Sequence, residues 1–79
     1  MDTENARAAL KKRFEAEASA HVQTAKYLIV AVQLPTGAIE IITNTKQIPS
    51  KAEYYKSAYD EEFRLKTNPS VQVINYMIV

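Results

Sequence analysis

Tyr27-Leu28-Ile29-Val30-Ala31-Val32-Gln33-Leu34 is an apolar run rich in β-branched residues, and Pro35-Thr36-Gly37 follows it at once. A strand with one solvated face alternates apolar and polar residues. A run that is apolar at both parities therefore calls for a central strand covered on both sides. Pro35 presets φ at the second position of a turn, and Gly37, the chain's single glycine, stands where φ > 0 is needed, so Leu34–Gly37 fits a type I turn with a G1 bulge. The return segment, Ala38-Ile39-Glu40-Ile41-Ile42-Thr43, puts Ile39, Ile41 and Thr43 on one face and Ala38, Glu40 and Ile42 on the other. The mixed second face marks an edge strand.

Everything else in 79 residues must cover that hairpin. Residues 3–20 are rich in alanine and charge, free of Gly and Pro, and predict a helix from Thr3 to Ala20. Its apolar stripe is Ala6, Leu10, Phe14 and Ala18, with Ala9 beside it. Burial of Leu10 and Phe14 contributes roughly 3–6 kcal/mol, thin anchorage for five turns. The helix is therefore expected either to dock loosely or to complete its packing on a partner.

After the polar connector Asn44–Pro49, Ser50 and Glu53 have the spacing of a capping box, which predicts a second helix starting at Lys51. Tyr55, Tyr59 and Phe63 recur every four residues with Ala52 and Ala58 alongside, an aromatic stripe suited to lie on a sheet. Asp60–Arg64 and Glu62–Lys66 read as acid-first i, i+4 pairs on the opposite side, and Asn68-Pro69 as the stop. Val71–Val79 is a third strand, with Val71, Val73, Met77 and Val79 set against Ile74, Tyr76 and Ile78. The expected fold is α+β and a single small domain over 1–79. A helix at 1–21 precedes a ββαβ unit at 26–79, whose three-stranded antiparallel sheet has the order 2-1-3 with helices packed on it. The crossover helix takes one face, and the first helix is left to cover the other poorly.

Composition excludes several classes. Ten Lys and Arg against nine Asp and Glu leave a net charge of +1, without the field that non-specific nucleic-acid or membrane binders use. No cysteine is present, so thiolate metal sites, cysteine nucleophiles and disulfides are excluded, and a reducing interior fits. Met1-Asp2-Thr3-Glu4-Asn5 is acidic and polar where a secretory signal needs a basic start and an apolar run. The uncharged stretch from Tyr27 to Ile39 is shorter than the roughly 18 residues that span a bilayer. The expectation is a cytoplasmic protein with no membrane partner.

No constellation of catalytic or metal-ligating residues is legible. His21 stands alone between helix and strand, and Asp60-Glu61-Glu62 read as helical residues point about 100° apart from one another. No catalytic residue, cofactor or metal is expected. Arg7, Lys11, Lys12 and Arg13 form the basic part of the first helix and are the candidate nucleic-acid contacts, diluted by Glu15 and Glu17. Leu10, Phe14, Tyr54, Ile42 and Tyr76 are the candidate protein interface. The first two belong to the under-packed helix, Tyr54 falls off the aromatic stripe, and Ile42 and Tyr76 lie on outlying strands. Both edge strands also offer unpaired backbone groups to another chain.

Tyr27–Glu40, followed by Glu53-Tyr54-Tyr55, Tyr59-Asp60 and Leu65-Lys66-Thr67-Asn68-Pro69, resembles small accessory proteins encoded by tailed phages and prophages of Gram-positive bacteria. The resemblance covers 26–79 and carries no catalytic signature. It implies an accessory role in the cytoplasm of an infected cell, through binding or inhibition of a host or phage protein. The expected function is a non-enzymatic protein-binding module, and the alternative is a nucleic-acid-binding accessory protein using the basic helix. A homodimer is compatible with both, since sharing a core relieves the small size of each subunit.

Overall fold

The computed structural model describes residues 3–79, with side chains from Asn5 onward; Met1 and Asp2 of the acidic start lie outside the described residues. The elements are α1 (Thr3–His21), β1 (Leu28–Gln33), β2 (Ile39–Asn44), α2 (Ile48–Ala58), β3 (Arg64–Leu65) and β4 (Asn68–Ile78). The fold is α+β, with four antiparallel strands rather than three, in the order β2-β1-β4-β3. The hairpin closes as its sequence dictates. The amide of Gly37 donates to Leu34 O at 2.8 Å, that of Leu34 to Ala38 O at 2.8 Å, and Gly37 sits at φ 91°. β1 lies between β2 and β4, and β2 is an edge.

Several sequence expectations fail, beginning with three along the chain. Ser50 and Glu53 form no capping box, because α2 begins earlier. Gln47 caps it in the left-handed region at φ 53° without a side-chain hydrogen bond, and Pro49 occupies the first turn, where its missing N–H costs nothing. Nor does α2 run to Asn68. It ends at Ala58, with Tyr59 extended at φ −107°, ψ 143°. The Asp60 carboxylate then accepts from the amides of Glu62 (2.8 Å) and Arg64 (3.0 Å), which closes a turn instead of a helical ladder. Arg64 pairs with Glu62 at 2.8 Å, so neither expected i, i+4 ion pair forms. The chain continues as β3, whose Leu65 lies opposite Asn68, so Asn68-Pro69 opens β4 rather than stopping a helix.

The third failure concerns faces. β4 pairs Ala31 with Asn75 but Val32 with Val73, leaving Ile74 as a bulge that exchanges the two sides of the strand. Val71 and Val73 thus share the core face with Tyr76 and Ile78, while Met77 and Val79 point away.

Both helices pack on one face of the sheet; the expectation that α1 covers the opposite side is overturned. Phe14 is fully buried at the centre, with ring centroids 5.2 Å from Phe63, 5.1 Å from Tyr76 and 6.4 Å from Tyr55. Leu28, Val30 and Val32 of β1, Ile48, Ala52 and Tyr55 of α2, and Tyr59, Phe63 and Val73 complete a single core. Tyr59 and Phe63 are buried as the stripe predicted, although from an extended residue and a turn residue at φ 60°. No described helix is long and apolar enough to cross a membrane.

Urea unfolding separates these assignments. Phe14→Ala is expected to cost about 3–5 kcal/mol and Asp60→Ala about 1–2 kcal/mol, whereas Ser50→Ala should stay within about 0.5 kcal/mol; a large loss at Ser50 would restore the capping box.

Candidate functional site

The basic residues of α1 part into two pairs. Arg7 and Lys11 lie one helical turn apart, on the side that also carries Phe14 and Ala18. Lys11 is only 4% exposed, and its ammonium donates to the carbonyls of Lys56 (3.0 Å), Tyr59 (2.9 Å) and Asp60 (3.0 Å). Those three acceptors match the three donors of an ammonium, and they surround the end of α2, where unpaired carbonyls make the helix dipole negative. The ammonium also lies 5.6 Å from the Phe63 ring centroid. Burial pushes the Lys11 pKa below its ordinary value, with Lys66 acting in the same sense against Glu15, Asp60 and Glu61.

Arg7 completes the clamp. Its Nε donates to Glu62 O at 2.9 Å, and one terminal nitrogen donates to Phe63 O (3.2 Å) and Val73 O (2.9 Å). Burial, then Arg64, lower its pKa. These two cations join the turn at 59–63 and β4 to α1, so they are structural rather than phosphate contacts, a correction to the basic-helix reading. Lys12 and Arg13 remain exposed, with Arg13 donating to the Tyr76 hydroxyl at 3.1 Å and Tyr76 in turn to Glu17.

The five candidate interface residues also divide. Phe14 is the core centre, and Leu10 and Tyr76 pack against it. α1 is thus anchored on its own sheet rather than left for a partner. Ile42 and Tyr54 come together in a groove of about 330 Å³ between the β2 edge and α2, lined also by Asn44, Gln47, Ser50, Lys51 and Tyr55. Ser50, Lys51 and Tyr54 share one side of α2, and Gln47 precedes them at its N-cap. Tyr54 is half exposed, its ring edge-on to Tyr55 at 5.2 Å.

A second hollow, of about 410 Å³, is lined by Lys11, Glu15, Lys56, Tyr59, Asp60, Glu61, Glu62 and Lys66. Its chemistry is largely committed. Lys11 holds carbonyls, Asp60 holds amides, Glu62 holds Arg64, and the Tyr59 phenol is pushed up to about 12 by burial and by Tyr54 and Tyr55, so it stays protonated into the alkaline range. Among the described residues no group of three or more His, Asp or Glu is placed to hold a metal ion.

The outer face of the sheet carries side chains that are mostly uncommitted. Cross-strand register sets it out in rows: Thr43–Ile29–Met77, Ile41–Ala31–Asn75 and Ile39–Gln33–Gln72. Tyr27 and Val79 extend it through reciprocal backbone hydrogen bonds of 2.9 and 3.1 Å. Across β2, β1 and β4 no residue in these rows is charged; the last row ends at Arg64 of β3, which lies opposite Gln72 and is paired with Glu62. Ile39, Ile41, Met77 and Val79 are 53–62% exposed and Tyr27 44%, which leaves Tyr54 as the one other large exposed apolar or aromatic side chain among the described residues. Sequence reasoning expected a sheet face incompletely covered by α1; the structure leaves that face without any helix, because Lys11 and Arg7 lie on the Phe14 side of α1 and bind carbonyls on the side that α2 occupies.

The chain matches no known protein family, no curated protein and no solved structure.

Two stability measurements test the clamp and the buried phenol. Lys11→Met strands three carbonyls and should cost about 1–3 kcal/mol, while Lys12→Met should be neutral within about 0.5 kcal/mol; equal effects would refute the clamp. Because the phenol of Tyr59 ionises near 10 when unfolded and near 12 when folded, its contribution is complete below pH 10 and is lost as pH rises from 10 to 12. Over that interval, Tyr59→Phe should remove about 2–3 kcal/mol of the alkaline loss seen in the unaltered protein.

Proposed function

We propose that this chain is a non-enzymatic protein-binding module whose working surface is the outer face of its sheet. The observation that carries the reading is the largely apolar set of rows through Ile29, Ile39, Ile41, Met77 and Val79, which with Tyr27 holds five of the six exposed large apolar or aromatic side chains among the described residues. Contiguous apolar surface of this kind loses free energy to water and gains it on contact with a complementary surface. Antiparallel sheets tolerate one solvated face, but that face is ordinarily polar. Here the polar members are Gln33, Thr43, Gln72 and Asn75, and Gln72 already donates to Gln33 at 3.0 Å. An aliphatic centre with a few polar neighbours, one pair of them already hydrogen-bonded, is an arrangement found in protein interfaces. The resemblance of residues 26–79 to phage accessory proteins supplies the setting, in which the partner is a host or phage protein of the cytoplasm.

The nucleic-acid alternative would rest on Lys12 and Arg13, since the other two of its four cations, Arg7 and Lys11, are engaged with backbone carbonyls.

Affinity capture from lysate of a Gram-positive bacterium, with nuclease and high-salt arms, tests the reading. A protein retained in near-stoichiometric amount should survive both arms, fall at least about tenfold with Met77→Lys or Val79→Lys, and be unaffected by Lys12→Ala. Capture that ignores the two face variants, or that collapses with nuclease and with Lys12→Ala, would overturn it.

A further inference from the structure

The two edges of the sheet are unequal. β3 has two residues, whereas β2 presents a six-residue edge that contains no Pro and no Lys. Edge strands are ordinarily blunted by such residues, by brevity or by an inward-pointing charge, and of these β2 has only Glu40, on the side of the sheet that carries the helices. The hairpin fixes which of its backbone groups are free. Leu34 N–H donates to Ala38 O, and residues in the same phase, Glu40, Ile42 and Asn44, exchange ladder bonds with Val32, Val30 and Leu28. The N–H and C=O groups of Ile39, Ile41 and Thr43 therefore point outward, unpaired within the chain.

A second copy of the strand fits these groups in one register better than in its neighbours. With Ile41 opposite Ile41 across a two-fold axis, Ile39 meets Thr43 and Thr43 meets Ile39, and all the free groups of the three residues pair. A shift by two residues either way loses one of the three pairings, and one of those shifts sets Glu40 directly against Glu40, a like-charge clash. In the favoured register the second copy's Glu40 lies opposite Ile42, on the side of the sheet where Ile42, Asn44, Tyr54 and Lys51 form the groove. Glu40 is the single charged residue of β2 and Lys51 the single charged residue of the groove, and neither takes part in an ion pair among the described residues. Their charges are opposite, and the two-fold axis uses each pairing twice.

We propose that β2 pairs antiparallel with the β2 of a second copy about a two-fold axis at Ile41, joining two sheets edge to edge, with each Glu40 set against the Lys51 rim of the other copy's groove. Gln47, Ser50, Lys51 and Tyr54, which line the groove on that side, then flank the incoming strand. The outer faces of both copies stay free and become continuous across the junction, so this pairing and the outer-face reading rest on different side chains and stand or fall separately.

Sedimentation velocity of the full chain from about 1 μM to about 1 mM tests it, because a short edge junction of small area supports an affinity of roughly 10–100 μM. A reversible monomer–dimer equilibrium is expected. Glu40→Lys or Lys51→Glu alone should weaken it roughly tenfold, and the double variant should return to within about threefold of the unaltered chain. Far-ultraviolet circular dichroism checks that each exposed-site variant remains folded. A chain that stays monomeric at about 1 mM overturns the proposal, as does a dimer whose double variant is no stronger than the singles. A dimer abolished by Met77→Lys but indifferent to Glu40→Lys would instead join the outer faces, and equally overturns edge pairing.

Discussion

The ammonium of Lys11, held by the carbonyls of Lys56, Tyr59 and Asp60, is the interaction on which the arrangement depends. Helix ends leave carbonyls that must find donors when they are shielded from water. α2 ends against α1 rather than in solvent, and a neutral side chain at position 11 leaves those groups without their charged donor. Arg7 repeats the device one turn earlier on Glu62, Phe63 and Val73. Together the two cations fix α1 on the side of the sheet that α2 occupies. Phe14 then has a place to be buried, and no helix remains for the other side. Both the tight core and the uncovered outer face follow from where two positive charges find oxygen.

Much of the architecture was legible because it was locally encoded. The run at 27–34 specified a central strand, Pro35-Thr36-Gly37 specified its turn, and the mixed parity of 38–43 specified an edge. What failed depended on competition between local and distant partners. Tyr55, Tyr59 and Phe63 have helical spacing, but the Asp60 carboxylate closes a turn on Glu62 and Arg64, and the strand so released pairs with β4. Asp at that position serves a helix surface or a turn equally well, and spacing alone does not discriminate. The bulge at Ile74 is likewise silent in the sequence, since Val, Ile and Met suit either face, yet it decides that Tyr76 packs on Phe14 while Met77 meets solvent.

The candidate site was legible in fragments. Ile42 and Tyr54 were singled out separately and meet in one groove, whereas Leu10, Phe14 and Tyr76 turned out to be the protein's own core. The aliphatic stripe of α1 looked too thin because it was counted in large apolar side chains alone. The stems of Lys11 and Arg7 lie along the same side, and their heads make long-range hydrogen bonds that no periodicity analysis weighs. Once those bonds are assigned, the surplus apolar surface moves from α1 to the opposite side of the sheet.

The clamp also sets an order of events in biosynthesis. Lys11 is translated 45 to 49 residues before the carbonyls it holds, and Arg7 is separated from Val73 by 66. The first helix therefore emerges from the ribosome with its anchoring partners still unmade, too weak in tertiary contacts to be held, while the β1–β2 hairpin can already form. The acceptors of Lys11 are complete once Asp60 is made, but the bond of Arg7 to Val73, which ties α1 to the sheet, waits for β4 to enter between β1 and β3. Closure of the clamp is accordingly a late event in the folding of this chain. A nascent chain stalled before Val73 carries both the outer sheet surface and the Phe14 side of α1 exposed, making it a substrate for chaperones rather than a working fragment.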